Sequence, residues 1–420
     1  MYYYFFTTYV GLGVAMNKIA LRIAASIAPL AALTMGTAQA GALTNTQIFS
    51  QFNAVISGNF TSSADVEGRT VVGGNLTGGA TFELNPAGTA MSSFSALTVY
   101  GSSTGGGNYN IINSSGLTII GTNNATITMA AGGTVYIGGA NSGAITANNG
   151  PTSIAINGNN NANLTLNGGG GGTIQVNGNS TGDISGGALT YTGTRSGNLN
   201  GGATATHVGS LTLTPPSSTV SPFATTFQAL STLSTQLNAV KANSTAASSG
   251  GAITFNAAPV NGVAVFDVNT ALFAANSTVT INLDGATSVI VNVSVSGCVT
   301  GPCAFTMPNS VNFNSPTGYA ATVLWNFINA TNLTFTNEFG GSVLAPLAAV
   351  RNSSPIDGTL VAASYSGTGE LHSHPYTGSF PGTSTPAPEP ASLAVIGTAL
   401  AGLATVRRKR KAKAPPLAAP

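Results

Sequence analysis

From residue 97 onward the chain repeats a three-residue pattern: apolar, polar or small, apolar. It appears as Leu97-Thr98-Val99, Leu117-Thr118-Ile119, Ile127-Thr128-Met129 and Val135-Tyr136-Ile137. Ile154-Ala155-Ile156, Leu164-Thr165-Leu166 and Ile174-Gln175-Val176 continue the series. An extended strand sends alternate side chains to opposite sides, so each triplet offers two apolar residues to one side and one residue to the other. Asn157-Gly158, Asn167-Gly168 and Asn177-Gly178 mark corners between triplets, where φ > 0 is tolerated. The triplets recur at roughly ten residues for much of the run, the kind of regular period a β-solenoid stacks. An antiparallel β-sandwich also spaces its strands this way, but these triplets are very short for that fold. The predicted class is mainly β, a right-handed parallel β-helix.

One segment follows a helical period instead. Ser221 is placed to cap and Pro222 to open a helix. Phe223, Phe227, Leu230, Leu233, Leu237 and Val240 then form one apolar stripe at steps of three and four. The prediction is an amphipathic helix over about 222–242, packed along one side of the solenoid. The stripe is short and lacks flanking charges for a coiled coil. Strands resume after it, from Ile253-Thr254-Phe255 through Leu333-Thr334-Phe335. Before the triplets, Ile48, Phe49, Phe52, Val55 and Ile56 predict a helical turn or two feeding a strand near Phe60.

Both ends of the chain depart from this pattern. Lys18 and Arg22 precede an apolar stretch from Ile23 to Met35, and Ala38-Gln39-Ala40 supplies small residues at Ala38 and Ala40 for signal cleavage. Translation is expected to start at Met16 and the signal peptide to end at Ala40; a longer uncleaved anchor is the alternative. At the other end Pro388-Glu389-Pro390-Ala391-Ser392 leads into an apolar run ending at Val406, then Arg407-Arg408-Lys409-Arg410-Lys411. As a helix the run would span roughly 24 Å, slightly short of a hydrocarbon core of about 30 Å, and the basic cluster would hold its cytoplasmic end. These three parts in order resemble the PEP-CTERM sorting tail of Gram-negative bacteria. The resemblance implies an exosortase as processing partner, transient residence in the inner membrane and delivery to the cell surface or extracellular matrix. The expected division is 1–40 extension and signal peptide, 41–382 solenoid, 383–387 linker, 388–411 sorting segment and 412–420 disordered tail.

Composition narrows the function of the middle. Charged residues are 5% of the chain, against about 25% in ordinary globular proteins, while a 43% hydrophobic content suffices to build a core. The net charge of +2 comes from the two ends. Between them only Arg69, Arg195, Lys241 and Arg351 are cationic, against nine acidic residues from Asp65 to Glu370. A nucleic-acid partner, which needs a basic stripe, is therefore excluded. Cys298 and Cys303 are the only cysteines, and an oxidising destination favours a small disulfide loop.

Two groups of residues carry a more specific resemblance. Asp65-Val66-Glu67-Gly68-Arg69 with Val72-Gly73-Gly74-Asn75 is similar to the opening motif of the choice-of-anchor A family. Gly341 to Pro346, Ile356-Asp357-Gly358 and His372-Ser373-His374-Pro375-Tyr376 are similar to its ending. The resemblance implies an exported adhesive β-helix with a docked helix and carries over no catalytic residue. The opening segment and His372–Tyr376 are expected to cap the two ends of the solenoid.

Catalytic chemistry has few footholds. His372 and His374, with Glu370, would lie on one side of a strand and could bind a metal, or they could close a coil; the latter is preferred, with no metal and no cofactor. Asp65, Glu67 and Arg69 alternate and are expected to form a carboxylate–guanidinium cluster holding the first coil. Paired carboxylates also suit glycoside hydrolysis, but the single tryptophan, Trp325, lies in an apolar strand and cannot line an open groove. Thr-x-Thr units, which an ice-binding face needs in aligned ranks, occur at 126–128, 212–214, 278–280 and 334–336, scattered along the chain. The reading is a non-enzymatic, surface-anchored protein for adhesion or exopolysaccharide association. The alternatives are a carbohydrate-active enzyme, an ice-binding solenoid and a passive self-assembling coat.

Overall fold

The computed structural model describes residues 43–382, apart from 106, 169–170, 220–222 and 299–300. The cleavage residues, the sorting signal, the basic cluster and the Ser221–Pro222 cap lie outside the described residues.

Every predicted triplet from Leu97 to Val176 is a strand or part of one. A strand does not pair with the next in sequence, however, but with the next but one. Leu97–Val99 pairs in parallel with Leu117–Ile119, which pairs with Val135–Ile137, then Ile154–Ile156, then Ile174–Val176. The intervening strands around Ile127, Ile145, Leu164 and Ile184 pair among themselves on another face. One coil thus consumes two triplets, and the period of about ten residues is half a coil. A narrow second face lies between them. It starts with strands at 60–62 and 76–78 and continues as single bridging residues: Ser103, Asn123, Asn141, Asn160, Ser180 and Arg195. Coils of this kind stack about 4.8 Å apart, and the inward residues of all three faces form one core.

Two columns of residues hold the corners. Asn123, Asn141 and Asn160 are fully buried, and each amide donates to the next: Asn123 Nδ2 to Asn141 Oδ1 at 2.7 Å, Asn141 Nδ2 to Asn160 Oδ1 at 2.8 Å. Burial without partners would be costly, and the ladder supplies them. Gly139, Gly158 and Gly178 form the other column. These corner glycines were expected to supply positive φ, but neither Gly158 nor Gly178 adopts it. A Cβ on Gly158 would lie 2.8 Å from the carbonyl carbon of Gly139, and one on Gly178 2.9 Å from that of Gly158. Close approach between coils, not turn geometry, demands glycine here.

The coils do not stack in sequence order. On the first face the strand order is 263–269, 288–294, 323–327, 342–352 and 360–367. Strand 360–362 then pairs with 54–56, which is followed by 70–72, 97–99 and so on to 204–207. The chain therefore starts in the middle of the stack, winds to one end, crosses back and winds in from the other end. Its last coil closes on its first.

Helices cover the outer side of the first face, one ahead of the first strand and one within the crossing. Helix α1 (Asn45–Gln51) opens with a reciprocal capping box between Thr44 and Gln47. Helix α2 (Phe223–Asn238) lies within the predicted range and buries Leu230, Leu233, Ser234 and Leu237. Beneath the helices lies an outward apolar patch, Val265, Ile290 and Leu324 in one row and Leu344, Val361, Val55 and Val71 in the next. Further along the same face the outward residues become Thr98, Thr118, Tyr136 and Ala155. At about 1.5 Å per residue α2 is roughly 24 Å long, enough to span about five strand spacings. Asn292 and Asn326, in register with each other and with Leu344, fasten it. Asn292 Nδ2 donates to the Leu237 carbonyl at 3.0 Å, and Asn326 Nδ2 to that of Ser234 at 2.9 Å.

This order corrects the expectation about caps. The opening segment and His372–Tyr376 do not sit at opposite ends of the solenoid; they meet at its internal seam. Nothing in local sequence encodes that strand 360–362 pairs with 54–56 rather than continuing outward.

Candidate functional site

The motif residues gather at the seam. Val66 bridges in parallel to both Phe82 and Leu371, so it belongs to the first and last coils at once. Asn53 ties the two. Its Nδ2 donates to the carbonyls of Gly358 at 2.8 Å and His372 at 2.9 Å, and its Oδ1 accepts from the Gly68 N–H at 3.0 Å. A Cβ on Gly68 would lie 2.7 Å from the Asn53 Cβ, which accounts for the glycine. Glu67 accepts the Ser373 N–H at 2.8 Å, and the Asp65 carbonyl accepts that of Leu371 at 3.1 Å. Gly73 lets two coils approach, since a Cβ there would sit 2.2 Å from the Ser57 carbonyl oxygen and 2.9 Å from the Phe223 ring of helix α2. Gly74 packs against Gly58 of the preceding coil in the same way.

Arg69 is buried and pairs with Glu83 at 3.0 Å. It also donates to the carbonyls of Phe94 at 3.0 Å and Gln51 at 3.1 Å. Burial lowers its pKa, and the Glu83 carboxylate opposes that shift. The expected cluster with Asp65 and Glu67 does not form; the structure replaces both with Glu83. That residue holds a left-handed backbone at φ 56°, uncommon outside glycine, and no periodic pattern marks it.

His372 is gripped from both sides. Its Nδ1 lies 2.6 Å from Asp357 Oδ1 and its Nε2 2.9 Å from Glu370 Oε2. The bond to buried Asp357 is the main cause that raises its pKa to about 9, with burial opposing and Glu370 adding. Burial first, and then the Asp357 carboxylate, raises the pKa of Glu338. Both imidazole nitrogens are engaged, so the ring presents no free nitrogen to a substrate or a metal. His374 is half-buried and does not join this cluster. No set of three or more His, Cys, Asp or Glu side chains among the described residues is arranged to hold a metal. Asp357 is not legible as a partner in the sequence because it meets His372 only through the stacking of separate coils. Cys298 and Cys303 are joined by a disulfide.

The third face of the coils carries a different arrangement. Its outward residues register across seven coils as Thr81, Asn110, Thr128, Thr146, Thr165, Ser185 and Asn200. This row escaped sequence reading because only one of its threonines belongs to a Thr-x-Thr unit. The row beside it runs Asn108, Thr126, Ala144, Asn163, Asp183 and Asn198. Hydroxyls and amides therefore repeat at the coil spacing of about 4.8 Å on a surface nearly free of charge.

A family model described as "Putative Ice-binding-like adhesive domain" matches residues 45–373, and the PEP-CTERM protein-sorting motif matches residues 386–410. No curated protein matches the sequence significantly. Among solved structures, the chain is similar to the tapirin C-terminal domain of Caldicellulosiruptor kristjanssonii, at 14% identity and a TM-score of 0.31. That alignment covers 77% of this chain and 94% of the other. It is also similar to the ice binding protein from an Antarctic bacterium of the Flavobacteriaceae, at 13% identity and a TM-score of 0.22, over 78% and 97% of the two chains.

Proposed function

The chain belongs to the ice-binding-like adhesive domain family, and from that premise we propose a non-enzymatic adhesin that binds extracellular polysaccharide through the third face of its coils. The sorting motif marks it for export and for processing by an exosortase at the membrane on its way to the surface. In this reading Met16–Ala40 is the signal peptide of a Gram-negative host, Pro388–Ser392 the processing signal and Arg407–Lys411 the cytoplasmic stop.

The observation that carries the proposal is the registered row from Thr81 to Asn200. A polysaccharide is itself a repeating array of hydroxyls, and a rigid row of donors and acceptors meets it with little loss of side-chain freedom. The engagement of both His372 nitrogens supports a structural role for that cluster over a hydrolytic one. The test is binding of the full chain, in detergent, to exopolysaccharide from the producing organism, with polymer length followed over time. Saturable binding at constant polymer length is expected, and Thr146→Glu, which buries a charge against the ligand, should weaken it by about tenfold or more. Shortening of the polymer would overturn the non-enzymatic reading.

The consecutive Thr128, Thr146 and Thr165 also favour a second reading, ice binding. Against it, Asn110 and Ser185 interrupt the threonine row and Asp183 places a carboxylate beside it. Thermal hysteresis in the same preparation separates the two.

A further inference from the structure

We propose that the seam carries a separate binding site, centred on Arg351, for the carboxylate group of an acidic polysaccharide. The second face of the coils forms a groove of ≈ 370 Å³ where the last coil meets the first. Along it, Thr306 registers with Thr334 and Thr334 with Arg351. One residue beyond the paired Val350 and Tyr365, Arg351 stands beside Ser366, which registers with Thr61 and through it with Thr77. The outward row across the seam is thus hydroxyl at every coil except one, and that one is a guanidinium.

Arg351 is exposed. Among the described residues it has no ion-pair partner, and the hydroxyls of Thr61, Thr334 and Ser366 have no hydrogen-bond partner within the protein. The contrast with the other arginines is informative. Arg69 is buried against Glu83, and Arg195 folds back onto the Gly197 carbonyl. An unpaired guanidinium among the hydroxyls lining a groove offers a planar fork matched to a carboxylate. The flanking hydroxyls at the coil spacing offer partners to the sugar rings on either side. A uronic-acid residue within a longer chain satisfies both; a neutral sugar would leave the guanidinium without an anion.

The proposal takes from the adhesive reading only that the ligand is a polysaccharide. Its test compares two probes with one backbone: polygalacturonate, and polygalacturonate whose carboxylates are methyl-esterified. The full chain in detergent is titrated with each at low ionic strength, as wild type, Arg351→Gln and Arg351→Lys, with thermal unfolding confirming that each is folded. The acidic polymer is expected to bind more tightly than the ester, and increasingly weakly with added salt. Arg351→Gln should weaken the acidic polymer by about tenfold or more, the loss of one charge-assisted contact, and leave the ester unchanged. Arg351→Lys should fall between the two. Equal binding of both polymers by the wild type, or an Arg351→Gln effect that is absent or equal for both, overturns the site while leaving the adhesive reading standing. Failure of the wild type to bind either polymer overturns the site and counts against that reading as well.

Discussion

His372 shows how a residue that looks catalytic in sequence can be a fastener in three dimensions. A histidine two residues from a carboxylate and two from another histidine is a reasonable place to search for a metal or a proton relay. The folded chain instead brings Asp357 from the neighbouring coil to one ring nitrogen and leaves Glu370 on the other. The pKa raised to about 9 turns this into a pH prediction. A histidine with a raised folded pKa contributes stability fully below its unfolded value near 6.5 and loses it as pH rises through the folded value. The thermal midpoint should therefore hold up to roughly neutral pH and fall between about pH 7 and 9. His372→Gln should remove that step from the profile. A wild-type midpoint that stays flat from neutral pH to pH 10 would contradict the assignment. The same lesson applies to Arg69: the alternation of Asp65, Glu67 and Arg69 was legible, but the true partner, Glu83, was not, because a buried ion pair depends on where two loops meet.

At the scale of elements, legibility followed periodicity. The triplets and the stripe of α2 each repeat a pattern whose physical meaning is local, and both are found where the sequence places them. The size of a coil was not legible, since Leu117 and Ile127 look alike as triplets but pair on different faces. Nor was the docking surface of α2, an outward patch that draws Val55 and Val265 from distant parts of the chain. That patch makes the helix a staple across the seam. Leu233 is fully buried in it, and Leu233→Ala should cost about 2–5 kcal/mol. If α2 holds the two halves together, the loss should appear as earlier opening of the seam. Hydrogen exchange at 54–56 and 360–362 would then accelerate more than at 154–156. Uniform acceleration along the whole solenoid would mean that the helix is a passive cover.

The whole molecule has a spatial order that differs from its chain order by a circular shift. Segments 217–382 and 43–210 each wind continuously, and the ends of the described chain already meet: the Phe49 and Phe380 rings lie 5.5 Å apart. Contacts that close the seam join residues far apart in sequence, 305 positions in the bond from Asn53 to Gly358. Their loop-closure entropy must be met before they contribute anything, which slows folding. A circular permutant that begins at Ser217, runs through 382, joins to 43 by a short linker and ends near residue 210 would stack every coil in sequence order. It retains α2 and every pairing described above, so its equilibrium stability should stay close to that of the parent. Its refolding should be faster, because the seam becomes a neighbouring-coil contact. Stopped-flow refolding beside equilibrium urea unfolding separates the two quantities. A permutant that is folded but refolds no faster would show that seam closure is not the slow step. One that cannot fold would show that the omitted 211–216 connection does more than link the two halves of the chain.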